Sequence, residues 1–551
     1  MATQAWNWLW EKHDQAKELL SFFVKPNNSG TSTGKGTDSE RSPKPDDDNE
    51  GPSYKTAQLV GLLLGPILFI LTLLFFQPEG MSDEAQAVLA STIWVATWWM
   101  TEAAPIPLTS LLPIILFPLT GGLEMDATAS SYGDDTIFLF MGGFMIALAM
   151  EKWNLHKRIA LTIILLIGTN TERIILGFMV ATGFLSMWIS NTATAMMMVP
   201  IGLAIIYQVS EQLKDDESID TSPENFRFGK ALMLGIAYSA SIGGISTLIG
   251  TPPNTAFAAV VGDLYGVEIS FARWMLFGVP VAWSFLFLAW FYLIKIAFPL
   301  QLDTLPGGRD VIKKEKDDIG RAGFEEKVIL VVFTLAALSW MTRSFLLQEY
   351  VSENINDAVI ALTASVILFI IPAKNEKGGR ILDWDTAVKL PWGILLLFGG
   401  GLAIAGGFSE SGLSEWLGNQ LAILEGVHLF IVLLAVSAMV IFLTEITSNT
   451  ATANMMYPIM ASLAVALGVH PYAVMIAAAV ASSSAFMLPV ATPPNAVVFG
   501  SGYLRIPDMA KAGAALNFVG IIIVTLAVYF WLPIAWGIDL TEVPEMFRQT
   551  E

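Results

Sequence analysis

The 551-residue sequence contains no cysteine and only four histidines. Disulfides, thiol nucleophiles and zinc–thiolate sites are thereby excluded. His13, His156, His428 and His470 are scattered without metal-ligand spacing. Charge is scarce as well: Asp, Glu, Lys and Arg make up 14% of the chain against 54% hydrophobic residues, too little to clothe a soluble protein of this size. The formal charge of −19 belongs mostly to the N-terminal tail, the loops and the C-terminus, so it says little about a ligand. Residues 1–24 have no basic stretch leading into an apolar core and do not read as a secretory signal.

What remains is a chain built for lipid. Apolar runs long enough for a hydrocarbon core of about 30 Å fall at about 56–77, 85–100, 105–119, 136–152, 229–249, 271–298, 327–346, 356–372, 391–407, 471–490 and 512–536. Two further stretches, about 172–208 and 427–466, are apolar but interrupted at mid-length by polar residues. Non-helical backbone at membrane depth survives where protein or a watery cavity covers it, so both are expected to be re-entrant hairpins. The fold class is therefore an all-α polytopic membrane protein, with about eleven transmembrane helices plus two re-entrant hairpins.

The interruptions are identical. Ser190-Asn191-Thr192-Ala193-Thr194-Ala195 recurs as Ser448-Asn449-Thr450-Ala451-Thr452-Ala453. Downstream of each lies a second near-duplicate, Gly250-Thr251-Pro252-Pro253-Asn254 and Ala491-Thr492-Pro493-Pro494-Asn495, where consecutive prolines must break a helix. A lone Ser-Asn-Thr in a membrane helix usually bonds a neighbouring helix; duplication beside duplicated breaks points instead to a binding centre. Met141-Gly142-Gly143 also aligns with Phe398-Gly399-Gly400. A repeat of five spans and a hairpin places its second copy upside down, so two inverted-topology repeats are expected.

Basic residues cluster in alternate loops, among them Lys152, Lys157, Arg158 and Arg173, then Lys214, Arg227 and Lys230, then Arg309 to Arg321, and Lys374 to Lys389. The opposite loops hold Arg273, Arg343 and Arg548. The positive-inside rule then puts the N-terminus in the cytoplasm and the C-terminus outside a cell membrane, plasma or bacterial inner. The expected divisions are a cytoplasmic tail, 1–54; the first span and first repeat, 55–298; a cytoplasmic inter-repeat loop, 299–326; the second repeat, 327–537; and an extracytoplasmic tail, 538–551. Within the first tail, Trp6, Leu9, Ala16, Leu20 and Phe23 share one helical face, which suggests an interfacial helix ahead of a flexible linker.

At these motifs the chain resembles the divalent anion:sodium symporters, the sodium-coupled di- and tricarboxylate and sulfate transporters. The paired Ser-Asn-Thr tips and Thr-Pro-Pro-Asn breaks carry the likeness, with Ser482-Ser483, Phe486, Pro489-Val490-Ala491 and Asn495-Ala496-Val497-Val498 fitting the family's signature spacing. The resemblance covers roughly 55–537 and implies Na+ as coupling ion. One sodium site would use Ser186, Ser190, Asn191 and the Gly250 carbonyl. The other would use Thr444, the Thr447 backbone, Asn449 and the Ala491 carbonyl. It further implies a homodimer joined through a scaffold and elevator-like movement of 172–208, 229–298, 427–466 and 471–536 against 56–119 and 327–372.

A dicarboxylate cannot enter a low-dielectric site uncompensated, and neither motif holds Lys or Arg. Helix N-termini at the tips favour anions, with Asn191, Thr192, Asn449 and Thr450 as side-chain donors and Thr251, Pro252, Thr492 and Pro493 lining the breaks. A sodium ion about 6 Å from a carboxylate contributes on the order of 3 kcal/mol at an effective dielectric near 20, so anion and cation should bind together. Two sodium ions would only neutralise a dianion; the family likeness favours a third and an inward current. Glu445, three residues before Ser448 with Met187 at the matching position, either tunes cation binding or pairs with a loop base in a structural role, which is the favoured reading. The expected function is sodium-coupled symport of C4-dicarboxylates such as succinate, malate or fumarate. Alternatives are a sodium-coupled sulfate or citrate carrier and a sodium-independent dicarboxylate exchanger. An intramembrane enzyme would need a nucleophile–base pair or metal cluster that the polar motifs lack, and nothing suggests nucleic acid as a partner. A channel or receptor would fail to accumulate substrate.

Overall fold

Two helices, α8 (Arg227–Gly244) and α18 (Pro471–Ser482), are buried along almost their whole length. The computed structural model that contains them describes residues 55–547 apart from 169, 214–219, 224, 301–307 and 376–377. The expected N-terminal interfacial helix and linker, part of the inter-repeat loop, Lys214, Lys377 and Arg548 lie outside the described residues. A helix apolar on every side must be covered on every side. Residues as small as Ala477-Ala478-Ala479 let neighbours approach closely enough to do so.

Around these two, the chain runs twice through the same order. The first passage is α4 (Asp135–Lys152), α5 (Leu155–Ile167), α6 (Thr171–Ser186), α7 (Asn191–Gln212), α8, α9 (Pro252–Tyr265) and α10 (Phe271–Tyr292). The second is α14 (Trp392–Glu410), α15 (Leu413–Leu421), α16 (Leu429–Thr444), α17 (Asn449–Leu467), α18, α19 (Pro493–Phe499) and α20 (Ile506–Leu526). Before the first come α1 (Thr56–Phe75), α2 (Asp83–Thr101) and α3 (Leu112–Thr120); between them lie α11 (Gly308–Asp318), α12 (Phe324–Thr342) and α13 (Asp357–Ile370). α1 carries its apolar residues outward, Leu63, Ile67, Ile70, Leu74 and Phe75 among them. That is the arrangement lipid requires and water forbids.

Among the described residues, eight helices are long and apolar enough to cross a membrane, or nine if the bent pair Leu413–Leu424 and Leu429–Thr444 is one span. The count differs from the eleven expected, for physical reasons. The expected spans at 105–119, 356–372 and 471–490 are helices of only 10–17 residues, the last because it unwinds after Ser482, and those at 85–100 and 229–249 are helices of 19 and 18 residues that are long enough but not apolar enough to qualify. Conversely α7 and α17, expected as hairpin arms, are themselves long and apolar enough to qualify; length and hydropathy alone do not separate an arm from a span. The hairpins fall close to where they were expected, with breaks at 187–190 and 445–448. α5, α11 and α15, not foreseen as separate helices, lie between the expected spans; the bend between the α15 segment and α16 is 115°.

Ion pairs tie one end of the bundle. Lys152 reaches Asp383 at 2.6 Å, Lys157 reaches Glu315 at 2.8 Å, and Arg158 pairs with Glu326. These pairs join three of the loops expected on one side, those holding Lys152 to Arg158, Glu315 to Glu326, and Asp383. At the other end Arg343, 3% exposed, pairs with Glu268 and with Asp357 at 3.2 Å. Asp357 also accepts from the Phe271 backbone N–H at 2.8 Å. Trp188, Phe271 and Trp340 stack in sequence, 5.9 and 4.6 Å between centroids. This junction fastens the first hairpin tip and α10 to α12 and α13.

Candidate functional site

Each tip begins as an ordinary helix end. α6 stops at Ser186 and α7 restarts at Asn191, with Ser190 extended (φ −55°, ψ 141°) and its hydroxyl accepting from the Ala193 N–H at 3.2 Å, a standard N-cap. The second tip repeats the break between Thr444 and Asn449, with Ser448 also extended. Both α7 and α17 therefore aim free N–H groups and the positive end of a long helix at the tip.

Oxygens converge at each tip. Ser186 Oγ lies within hydrogen-bond reach of both Asn191 Oδ1 and the Ala240 carbonyl oxygen, the latter at 2.7 Å, yet a hydroxyl has one proton to give. Asn191 Oδ1 faces only acceptors; turned over, its amide donates toward Ser186 Oγ and the carbonyls of Gly250 at 3.2 Å and Ala240 at 3.1 Å, which satisfies the first tip. Thr444 Oγ1 stands in the same position, 2.7 Å from Asn449 Oδ1 and 2.9 Å from the Ser482 carbonyl oxygen. Converging oxygens without enough hydrogens are stable if an amide flips or if a cation sits among them. Neutral Ser, Asn and carbonyl oxygens are the donor set a hard monovalent cation takes.

The breaks are clamped by the asparagines of the Thr-Pro-Pro-Asn motifs. Asn254 Nδ2 lies 3.1, 3.2 and 2.8 Å from the carbonyl oxygens of Gly244, Ile245 and Thr247. Asn495 Nδ2 lies 3.3 and 3.0 Å from those of Ala485 and Leu488. Thr492 caps α19 by accepting from the Asn495 N–H at 3.3 Å. Thr251 Oγ1 lies 3.4 Å from Ser483 Oγ and so joins one repeat to the other. The exchange is reciprocal, with α7 packing on α19 and α17 on α9; the Tyr457 hydroxyl donates to the Pro253 carbonyl.

Of the residues expected in the first cation site, Ser186, Asn191 and Gly250 come together, while Ser190 caps its own helix. In the second, Thr444 and Asn449 meet as expected. The Ser482 carbonyl is the oxygen the structure places on Thr444, and Ala491 makes no hydrogen bond to either residue. Thr447 spends its hydroxyl on the Leu443 carbonyl at 2.7 Å and on Thr452 at 2.6 Å, which leaves only its backbone. Thr192, Asn191 and Asn449 are half-buried, Thr450 and Thr251 are buried, and Pro493 is exposed. The sequence reading missed the Ala240 and Ser482 carbonyls, which carry no sequence signal, and the clamping role of Asn254 and Asn495, whose signal was their fixed place after two prolines. Glu445 meets no loop base: it is bound to backbone N–H groups of the second break and to Asn517.

An all-helical, lipid-facing chain with two duplicated broken-helix sites has the architecture of a secondary transporter. A family model described as the sodium:sulfate symporter transmembrane region matches residues 56–537. The sodium-dependent dicarboxylate transporter SdcS of Staphylococcus saprophyticus is 54% identical over 496 residues, 90% of this chain and 95% of that protein. SdcS of Staphylococcus aureus strain MRSA252 is 52% identical over 491 residues, 89% of this chain and 94% of its own. The chain belongs to the sodium:sulfate symporter family. Among solved structures, MtrF of Neisseria gonorrhoeae aligns with a TM-score of 0.52 at 14% identity over 85% of this chain and 95% of that one. The YdaH transporter of Alcanivorax borkumensis aligns at 0.50 and 12% identity over 87% and 97%. At such identities these two speak for the fold alone.

Proposed function

We propose that the protein is a sodium-coupled symporter of C4-dicarboxylates such as succinate, malate and fumarate. The single observation that carries the reading is the matched convergence of oxygens at the two tips, Ser186, Asn191 and the Ala240 and Gly250 carbonyls at one and Thr444, Asn449 and the Ser482 carbonyl at the other; the named activity of the SdcS relatives supports it. Sodium is cargo here. One ion lies among Ser186, Asn191 and the Gly250 carbonyl, joined by the Ser190 backbone. A second lies among Thr444, Asn449 and the backbone of Thr447, with Ser482 or Ala491 supplying a carbonyl. The dicarboxylate lies between the tips, held by Asn191, Thr192, Asn449 and Thr450 and bordered by Thr251, Pro252, Thr492 and Pro493. The N-termini of α7 and α17 face its charge.

Residues 55–298 and 327–537 act as two inverted repeats joined by the cytoplasmic loop 299–326, with 1–54 cytoplasmic and 538–551 extracytoplasmic. The hairpins, α8 to α10 and α18 to α20 travel as one body, elevator-fashion, past a scaffold that also forms a homodimer. The deciding experiment is radiolabelled succinate uptake into proteoliposomes with and without an inward sodium gradient, challenged by sulfate and by citrate. Accumulation that needs the gradient and resists both competitors supports the reading. Gradient-independent exchange, or displacement by sulfate at lower concentration than unlabelled succinate, overturns it.

A further inference from the structure

The two tips share their polar hexapeptide but not their surroundings. Glu445 follows Thr444 directly, and Met187 holds the corresponding place after Ser186. Glu445 is 3% exposed. Its carboxylate accepts from the backbone N–H groups of Phe486, Met487 and Leu488 at 2.7, 2.8 and 3.1 Å, and from Asn517 Nδ2 at 2.8 Å. Asn517 Oδ1 in turn accepts from the Phe486 N–H at 3.3 Å. Asn517 also has no polar counterpart: eleven residues into α10, as Asn517 is into α20, stands Ala282. Every partner of Glu445 is a donor, and among the described residues no Lys or Arg pairs with it.

Unwinding after Ser482 strips three amides of their helical acceptors at membrane depth, where an unmet N–H is costly. Glu445 supplies those acceptors. Because a peptide's N–H and C=O point in opposite directions, binding the amides on one side fixes the carbonyls on the other; Asn495 takes one of these, that of Ala485, and the Leu488 carbonyl that follows. The segment leading from Ser482, whose carbonyl faces Thr444, is thereby held from both sides.

We propose that Glu445 is the positioning residue of the second coupling-ion site, and that its uncompensated charge makes this site fill with sodium before the first. The proposal rests on the reading of the tips as sodium sites. Glu445 touches neither the ion nor the dicarboxylate. It acts by holding the Phe486–Leu488 segment in place and by lowering the potential beside Thr444 and Asn449. The first site has no such charge, since Met187 and Ala282 replace both members of the pair.

The test uses the full chain in proteoliposomes and, for binding alone, in detergent without substrate. Glu445→Gln removes the charge at constant size. It should raise the sodium concentration for half-maximal succinate uptake roughly tenfold, equivalent to about 1.4 kcal/mol, and flatten the sodium cooperativity. The succinate KM at saturating sodium should stay within about twofold, and the melting shift caused by sodium alone should require roughly tenfold more sodium. Glu445→Asp, which keeps the charge, should lose less sodium affinity than Glu445→Gln. Asn517→Ala, which keeps charge and carboxylate, should lose about twofold to threefold. Unchanged sodium half-saturation in Glu445→Gln overturns the proposal, as does a higher succinate KM at constant sodium affinity. Should Glu445→Gln not fold, wild-type sodium affinity in both Glu445→Asp and Asn517→Ala overturns it equally.

Asn191→Ala and Asn449→Ala run in parallel. If neither alters sodium dependence, the reading of the tips as sodium sites fails. If both do and the Glu445 series does not, only the present proposal fails. The filling order predicts that the sodium-only melting shift survives at low sodium in Asn191→Ala and disappears in Asn449→Ala; the reverse pattern overturns that order.

Discussion

The break between α8 and α9 and the break between α18 and α19 descend from one sequence pattern but are stabilised by opposite chemistry. In the first, the orphaned groups met by side chains are carbonyls, and neutral donors meet them: Asn254 as described, the Trp274 indole N–H at 2.9 Å from the Ile245 oxygen, and the Thr255 hydroxyl on the Leu248 carbonyl. In the second, the Phe486, Met487 and Leu488 amides are met by a carboxylate. The first break is buried throughout residues 241–251, whereas Val490 in the second is 83% exposed. Duplication thus reproduced where the helix must end, which two prolines dictate. It did not reproduce how the freed peptide groups are satisfied, which depends on whatever side chains the neighbouring helices present. A charge is tolerable where three amides and an asparagine converge on it, and the first break offers no such cluster.

The comparison is most severely strained at two glycines in matching places, Gly278 on α10 and Gly513 on α20. A methyl group at Gly513 would lie 2.1 Å from the Phe486 carbonyl oxygen, against 2.7 Å from the Ile245 oxygen at Gly278. Phe486 is fixed through its own N–H by Glu445 and Asn517, so it has little freedom to retreat. Gly513→Ala should cost about 3 kcal/mol and most of the folded yield, Gly278→Ala about 1–2 kcal/mol. Thermal melting of the two purified variants reads this directly, and equal losses would mean the second break is no more rigid than the first.

A smaller effect separates the clamps. Asn254 spreads its two hydrogens over three carbonyls, of which Trp274 also serves the one at Ile245, while Asn495 shares its segment with Glu445. Asn254→Leu is therefore expected to lower stability by about 2–3 kcal/mol and Asn495→Leu by about 1–2 kcal/mol. Melting temperatures in the reverse order would assign the second segment's integrity to Asn495 rather than to the carboxylate. The smallest contrast lies inside the hexapeptides. Thr194 is buried with its hydroxyl unpartnered, whereas Thr452 bonds Thr447. Replacement by Val should be neutral or slightly stabilising at Thr194 and cost about 1 kcal/mol at Thr452; matching losses at the two sites would show that the Thr447 bond contributes nothing.

The parts of this architecture legible in the sequence were those written in side-chain identity. Identical hexapeptides and double prolines located both tips and both breaks to within a few residues, and Ser186 and Thr444, one turn before the tips, did prove to meet Asn191 and Asn449. What escaped was written in backbone. The Ala240 and Ser482 carbonyls that complete each oxygen cluster could be any residue. Glu445 was conspicuous as an acid in an apolar run, yet its partners are amides 41 or more positions away, which no pattern announces. Asn517 sits in the middle of an apolar helix with nothing nearby to mark it. The span count slipped for a related reason, since hydropathy measures how long an apolar run is and not whether it turns back.

A buried carboxylate with no basic partner also has an electrical meaning. The moving body of the elevator reading carries other charges, among them Arg173, Asp263, Arg273 and Lys511, but among the described residues Glu445 is the one buried directly beside an ion site without a basic partner. Three sodium ions and a dianion would bring one net positive charge for Glu445 to offset, while in the empty carrier its carboxylate would stand unopposed at that site. The membrane potential, about 2.3 kcal/mol per charge per 100 mV, would act not on the loaded crossing but on the reset that follows. Charge movement in voltage jumps without sodium or substrate should be present in the wild type and absent in Glu445→Gln. A wild type silent under those conditions would place the voltage-sensitive step elsewhere. One glutamate, fixed by three amides, would in this way make the membrane's own field the agent that readies the transporter for its next passenger.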